Sequence, residues 1–424
     1  MRYDRSSVPN WVIPALYAGV AVVAALALPR LEHAYLPQIT TGLNPGSAIA
    51  IFSAVGSGMI ALTGIVFALA FLMVQFSATA YSPRLVMWLA RAPVIWHSVG
   101  MFSATFLYSL GVIAFVDRAG DEPVPFFSGW LVIVLLLGSV GMFIALIEKL
   151  SLLQIRRMLD FTADYGRRVI EEHFPKLDEP ASVADLRPYA HMQPSQSLGH
   201  VGRPASLQAI DVARLLALAT EHRATVVVTS LVGDTLVEDS VMLHVYEASA
   251  PIPEHALRDA FAIGMERTFE QDPKYALRLL VDIAIRALSP AVNDPTSAVQ
   301  ALDQIEDLLR RLSRRRLEFG AWRDAAGALR LVVPQPSWED FVALAFDEIR
   351  HCGATSVQVM RRMRALLADL IAYVPPDRRD ALERHRVRLD ATIARTFQDE
   401  VDKEEASIED RQGLGTPRGG QTHG

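Results

Sequence analysis

Four long runs without a single Asp, Glu, Lys or Arg dominate the first third of this chain. They cover 11–28, 48–76, 94–116 and 126–147. Crossing about 30 Å of hydrocarbon takes roughly 20 mostly apolar residues in a helix. A buried helix of a soluble protein of that length would normally keep a polar edge. The runs therefore predict a transmembrane domain over 1–148. The overall charged content, 21%, averages two unlike halves. Apolar runs crowd before Leu150 and charge crowds after it.

The second run is longer than one crossing needs. It predicts either a strongly tilted helix or a break at Gly56-Ser57-Gly58 or Gly64. The first run, with Arg2 and Arg5 before it and Ala25-Leu26-Ala27 near its end, has some marks of a signal peptide. Its apolar stretch exceeds the usual length, so it is read as an anchor. Orientation follows from basic residues at the span ends. Arg2, Arg5, Arg84, Arg91, Lys149, Arg156, Arg157, Arg167 and Arg168 fall on one side. Only Arg30 and Arg118 fall on the other, beside Asp117, Asp121 and Glu122. This bias places the N-terminus, the loop between the second and third runs and the C-terminal half in the cytoplasm.

Within the second run, Ala50, Ser53, Ala54, Ser57, Gly58 and Ala61 form a small-residue stripe, with Thr63 and Gly64 following. Small residues let helices approach closely in lipid. Two readings stay open: packing inside one chain, or a subunit contact or pore wall where Ser53, Ser57 and Thr63 present hydroxyls. No acidic residue lies in mid-membrane, which argues against a proton-coupled transporter. Gln75 and His97 read as interfacial.

After the spans, 149–174 predicts a juxtamembrane helix. Its Arg156, Arg157, Arg167 and Arg168 are candidates for lipid head groups, or a solvated face that fixes topology. A Pro-rich linker follows over 175–205. Residues 206–248 predict a small α/β unit. Its strand is Leu207–Ile210, its helix is capped by Asp211 and runs to Glu221, and strands follow at Ala224–Leu231 and Val241–Tyr246. The segment from Val232-Gly233-Asp234 to Val241-Met242-Leu243 resembles half of a biotinyl/lipoyl hammerhead. Its turn has no lysine, so no attached prosthetic group is implied.

A mainly helical cytoplasmic domain is expected over 253–398, starting with a helix at Pro253–Phe269. In the next helix Arg278, Asp282 and Arg286 recur every four residues and share one face. They suit a salt-bridge ladder, or an anion or partner site. Ser289-Pro290-Ala291-Val292-Asn293-Asp294-Pro295 breaks that helix and starts another, with Asp294 as cap and Pro295 at the first helical position. Ser289, Asn293 and Asp294 join the candidate ligand or subunit contact. A hairpin over 317–333 and three further helices follow. The tail over 399–424 is expected to be disordered.

Two segments carry a family resemblance. One is Thr63-Gly64-Ile65-Val66-Phe67 through Gln75-Phe76-Ser77 to Ser82-Pro83-Arg84. The other runs from Leu280-Val281-Asp282 through Ser289-Pro290-Ala291-Val292-Asn293-Asp294-Pro295. With the order of parts, they resemble a bacterial family of predicted membrane proteins defined only as a domain of unknown function. The resemblance implies an inner-membrane, multi-span architecture and no reaction.

The fold class expected is thus a membrane all-α half followed by a soluble α+β half. A net charge of −6 argues against a nucleic-acid binder. The single cysteine, Cys352, excludes internal disulfides and multi-cysteine metal sites. No phosphate loop, HExxH, GxSxG or Cys/His pair occurs. The expectations are no catalytic residues, no metal and no cofactor, with the lipid bilayer and further copies of the chain as partners. The functional readings are a homo-oligomeric channel with a regulatory cytoplasmic domain, or a membrane-anchored sensor or scaffold without transport.

Overall fold

Lipid offers the backbone no hydrogen-bond partner, so the four charge-free runs must satisfy their amides within helices. The computed structural model describes residues 9, 11–36, 38–80, 93–119, 124–150, 155–178, 187–189, 191–317 and 320–415. It forms two compact units, Met1–Arg157 and Met158–Gly424. Arg2, Arg5, Arg84, Arg91, Asp121 and Glu122, which enter the orientation argument, lie outside the described residues. So do 81–92, residues 179–186 and 190 of the linker, and the terminal 416–424.

The first unit contains α1 (Val12–Tyr35), α2 (Pro45–Ala80), α3 (Pro93–Ala119) and α4 (Phe126–Leu150). All four are long and apolar enough to cross a membrane. The second run is one uninterrupted helix, and its glycines do not break it. Helix α1 continues past its apolar run through Pro29 and takes in Arg30 and Glu32. Helix α3 is the hub, packing against α1, α2 and α4. Its small residues permit the closest approach: a Cβ on Gly111 would lie 2.5 Å from Ala25 Cβ, and one on Gly100 would lie 3.0 Å from the Tyr17 ring. Close packing of α3 on α1 thus rests on glycines of α3. Tyr108, Phe102 and Val112 of α3 are fully buried, with Phe52 of α2 beside them in the core.

The second unit begins within α5 (Ile155–His173) and then alternates strands and helices. These are β1 (Gln196–Gly199), β2 (Ala205–Ile210), α6 (Val212–Glu221), β3 (Thr225–Val228), β4 (Thr235–Leu236) and β5 (Val241–Tyr246). Next come α7 (Glu254–Arg258), β6 (Phe261–Gly264), α8 (Pro273–Ala287), α9 (Pro295–Leu312), β7 (Gly320–Arg323) and β8 (Leu329–Val333). The chain ends in α10 (Trp338–Cys352), α11 (Val357–Tyr373), α12 (Arg379–Thr396) and α13 (Glu400–Ala406). Five strands pair in the order β1-β5-β3-β8-β7, and three in the order β4-β2-β6. The β3–β8 pair is parallel, with Val226 opposite Leu331. The strands of the small α/β unit therefore divide between two sheets, and the hairpin near 317–333 completes the larger one. Leu207, Leu215, Val226, Met242 and Leu331 share one core. Helices α8 to α12 pack on one another around Leu280, Leu302, Phe341 and Leu366.

Helix starts follow local chemistry. Asp211, Asp272, Asp294, Ser337 and Ser356 each accept a backbone N–H of the first turn with the side chain. Each such cap contributes about 1 kcal/mol. Ser337 and Asp340 form a reciprocal capping box.

Three expectations need correction. Pro253–Phe269 is a short helix and a strand, because Phe261–Gly264 pairs with β2 and buries Phe261. The linker region contributes β1, which pairs with β5. The tail through residue 415 is ordered: Asp399 caps α13, Arg361 bonds Glu405, and Arg411 bonds Asp369. An acidic stretch followed by Gly, Pro and Thr suggested disorder there, but these ion pairs tie the segment to α11.

Two predictions follow from this packing. Gly111→Val should cost about 1–3 kcal/mol through overpacking against α1, read as a lower thermal midpoint in detergent. Gly141→Ala, which has nothing within 4 Å of the new Cβ and gains helix propensity, should not lower the midpoint. The second concerns His385 of α12, buried against Phe346 with its Nδ1 unpartnered. Burial pushes its imidazole below the ordinary value, although Asp347 lies 3.7 Å away. The unfolded chain then takes up the proton first, near pH 6.5, and stability falls as pH drops through that value. Thermal midpoints from pH 7.5 downward should decline, and His385→Phe should reduce the slope.

Candidate functional site

Most small residues of α2 lie on an exposed stripe, whereas Ala48 and Gly56 are buried. Ser47, Ala50, Ala54, Ser57, Ala61, Gly64 and Ala68 recur at alternating intervals of three and four, and all are exposed. The opposite face, with Phe52, Val55, Met59 and Val66, is buried. The exposed stripe repeats every 3.5 residues, the period of a left-handed helix–helix seam. At 1.5 Å per residue it is about 32 Å long, close to the hydrocarbon thickness. Larger apolar residues flank it, among them Ile60 at 57% and Phe67 at 65% exposure.

The hydroxyls on this helix are distributed unevenly. Ser53 is exposed and Ser57 lies on the stripe, whereas Thr63 is turned toward α3. A groove of about 470 Å³ between the two helices is lined by Ile60, Thr63, Gly64, Ser103, Phe106 and Leu107. Ser57 donates to Ser53 O at 2.8 Å, and Thr63 donates to Met59 O at 2.8 Å. Both donors are satisfied inside their own helix. Gly58 sits beside the stripe, half-buried, with open space around its Cα.

A second polar feature escapes a search of the apolar runs. Glu32, near the end of α1, is 5% exposed. Its carboxylate accepts from Phe127 N at 2.6 Å and Ser128 N at 2.8 Å, and also from Ser128 Oγ. These amides are among the first of α4, whose donors have no partner within their helix. The positive end of the α4 dipole favours the carboxylate further. Tyr108 donates to Ser128 O at 3.4 Å beside it. The only sequence signal was an acid just beyond a long apolar run. Elsewhere in the unit, Thr105 and Ser139 hydroxyls meet at 2.9 Å, and the Tyr17 hydroxyl lies 3.3 Å from His97 Nδ1.

In the second unit the remaining candidate residues have specific partners. Arg278 bridges Asp282 on its own helix and Glu348 on α10. Glu348 holds the Arg278 guanidinium above its usual range, and the arginine holds Glu348 below the ordinary carboxylate range. Arg286 shares that helix. Ser289 Oγ donates to Arg286 O, and Asp294 accepts from Ser297 N and Oγ. Asn293 has φ +49°, the left-handed turn that reverses the chain between α8 and α9. Its N–H donates to Ser289 O at 2.8 Å. These bonds are those of a tight helix-to-helix turn.

Of the four arginines considered for lipid head groups, Arg156, Arg157 and Arg168 are exposed. Arg168 lies over Tyr165. Arg167 is committed inside the unit, bonding Asp164, Asp307 and Gln304, each at 2.6 Å. Among the described residues, no His, Cys, Asp and Glu group has the arrangement of a metal site.

Removing the Glu32 cap tests its structural weight. Glu32→Ala leaves buried amides unpaired and should cost about 1–3 kcal/mol, read as thermal unfolding in detergent. Glu32→Gln, which keeps an acceptor oxygen, should cost less.

The family model described as "Predicted membrane protein (DUF2254)" matches residues 8–369. Curated relatives include an uncharacterized protein of Mycobacterium bovis and another of Mycobacterium tuberculosis. Each is 28% identical over 409 residues, spanning 93% of this chain and 78% of the relative. No solved structure matches the chain. With four apolar helices long enough to cross a membrane and a family match over most of its length, the chain belongs to this family of membrane proteins.

Proposed function

We propose that the protein is a homo-oligomer in the bacterial inner membrane, in which the small-residue faces of α2 meet around a common axis. That axis is a permeation pathway, and the C-terminal half, in the cytoplasm, regulates it. One observation carries the reading. The 3.5-residue small stripe, from Ser47 to Ala68, is left exposed by the fold of the single chain. Such a seam lets helix backbones approach closely, with packing and weak polar contacts rather than water exclusion as the driving force. The groove beside Gly64 offers a recess for a side chain of a neighbouring copy.

A second reading, a membrane-anchored sensor or scaffold, draws on a different fact. The donors of Ser57 and Thr63 are already satisfied by their own helix, so α2 needs no water-filled lumen. The seam then serves assembly alone.

Purified protein in nanodiscs, examined by single-particle mass measurement, tests the shared element. The native chain should be oligomeric, and Ser57→Phe together with Ala61→Phe should raise the apparent dissociation constant by at least about tenfold. A monomeric native chain, or an assembly indifferent to both substitutions, refutes the seam. Ion flux into liposomes then separates the readings. Flux lost in the double variant supports the pathway, and an intact oligomer with no flux across ions and membrane tensions leaves the scaffold.

A further inference from the structure

At the C-terminal end of α9 the second unit carries a cavity of about 670 Å³ with an excess of positive charge. Lys176, Arg310, Arg311, Arg314 and Arg315 line it, against Asp178 and Asp307. The backbone that builds its wall is fixed. Leu177 N donates to Arg314 O at 3.2 Å, and Arg316 N donates to Pro175 O at 2.9 Å.

A helix C-terminus ordinarily repels an anion, because its free carbonyls carry partial negative charge. Here those carbonyls are covered. Arg378 donates to Leu312 O at 2.6 Å and also to Arg315 O, while Arg315 itself donates to Phe174 O at 2.8 Å. Further guanidiniums are thereby left over for the cavity. Asp307 is shared between Arg167 and Arg311, and Arg311 also pairs with Glu171 at 2.7 Å. Arg310 is held by Glu306 at 2.6 Å. Among the described residues, neither Arg314 nor Lys176 has a carboxylate partner.

Two of the cations are also oriented. The guanidinium carbons of Arg310 and Arg314 lie 4.7 and 4.4 Å from the centroid of Tyr373. Stacking on an aromatic ring confines a guanidinium to a plane and reduces the entropy lost when it binds. Planar guanidinium forks match the oxygens of a phosphoryl group. A guanidinium plane also stacks on a nucleobase. The cavity is too large for a lone inorganic ion and falls in the range of small-molecule sites.

We propose that this cavity binds a nucleoside polyphosphate. Arg314 and Lys176 take the phosphoryl oxygens, with Arg310 and Arg311 beside them, and the arginine–tyrosine stack receives the base. The site is independent of the α2 seam and stands whether or not the protein conducts ions.

The test uses the full chain in phosphatidylcholine nanodiscs, with equilibrium binding of labelled adenosine and guanosine triphosphates. Saturable binding of at least one is expected. Arg314→Glu and Lys176→Glu, both at exposed positions, should each weaken it by at least about tenfold. Arg386→Ala, whose arginine pairs with Glu383 on α12, should not. Having two reversals guards against one variant failing to fold. Absence of saturable binding, or binding indifferent to both reversals, overturns the proposal. A phosphate-bearing lipid is the other source of the same chemistry, so the measurement is repeated with phosphatidylglycerol in the nanodiscs. If the reversals weaken association with that lipid and nucleotides do not bind, the site belongs to head groups and the nucleotide assignment falls.

Discussion

The N-terminal unit depends on how closely α1 and α3 approach. Hydrophobic burial drives little helix association in lipid, so packing must come from contact between backbones and small side chains. Gly111 against Ala25 supplies that contact, and Gly100 against the Tyr17 ring supplies another. With α3 fixed against α1, its remaining surface takes up α2 and α4. Glu32 then fastens the end of α1 to the start of α4 by satisfying amides that lipid would leave bare. One close approach and one carboxylate thus define the unit.

This arrangement changes the meaning of the small residues on α2. In sequence the stripe suits packing inside the chain as well as a contact between chains. The close approaches inside the chain are made by glycines of α3 and by the buried Gly56 of α2 beside Phe106, and the α2 stripe is left outside with a regular 3.5-residue spacing. A surface that only meets lipid has no need of small residues at every seam position. The larger residues beside the stripe, Ile60 and Phe67, show that bulky apolar groups are accepted on the same helix. Selective smallness along one line is therefore a statement about what lies opposite it.

Much of the architecture was legible in the sequence because its causes are local. Charge-free runs set the four membrane helices. Asp211, Asp294 and Ser356 mark the starts of helices through their own first-turn amides. The Asp324–Gly327 turn announces its hairpin, with Gly327 at φ +82°. What was not legible depends on partners far along the chain. Phe261–Gly264 has the composition of a helix end and becomes a strand because β2 offers an unpaired edge. The parallel pairing of β3 with β8 joins residues about a hundred positions apart. The acidic tail stays ordered because Arg361 and Asp369 of α11 await it.

The same distinction applies to the polar sites. Ser289, Asn293 and Asp294 stood out by crowding in sequence, and their hydrogen bonds are those of a turn between α8 and α9. The basic run from Arg310 to Arg316 attracted no notice, since basic residues at a helix end commonly serve the dipole. Its significance rests on Arg378, more than sixty residues later, which covers the carbonyls that those arginines would otherwise answer. It rests also on Tyr373, which orients two of them. A charge surplus becomes a site only when distant residues have satisfied the nearer demands on it.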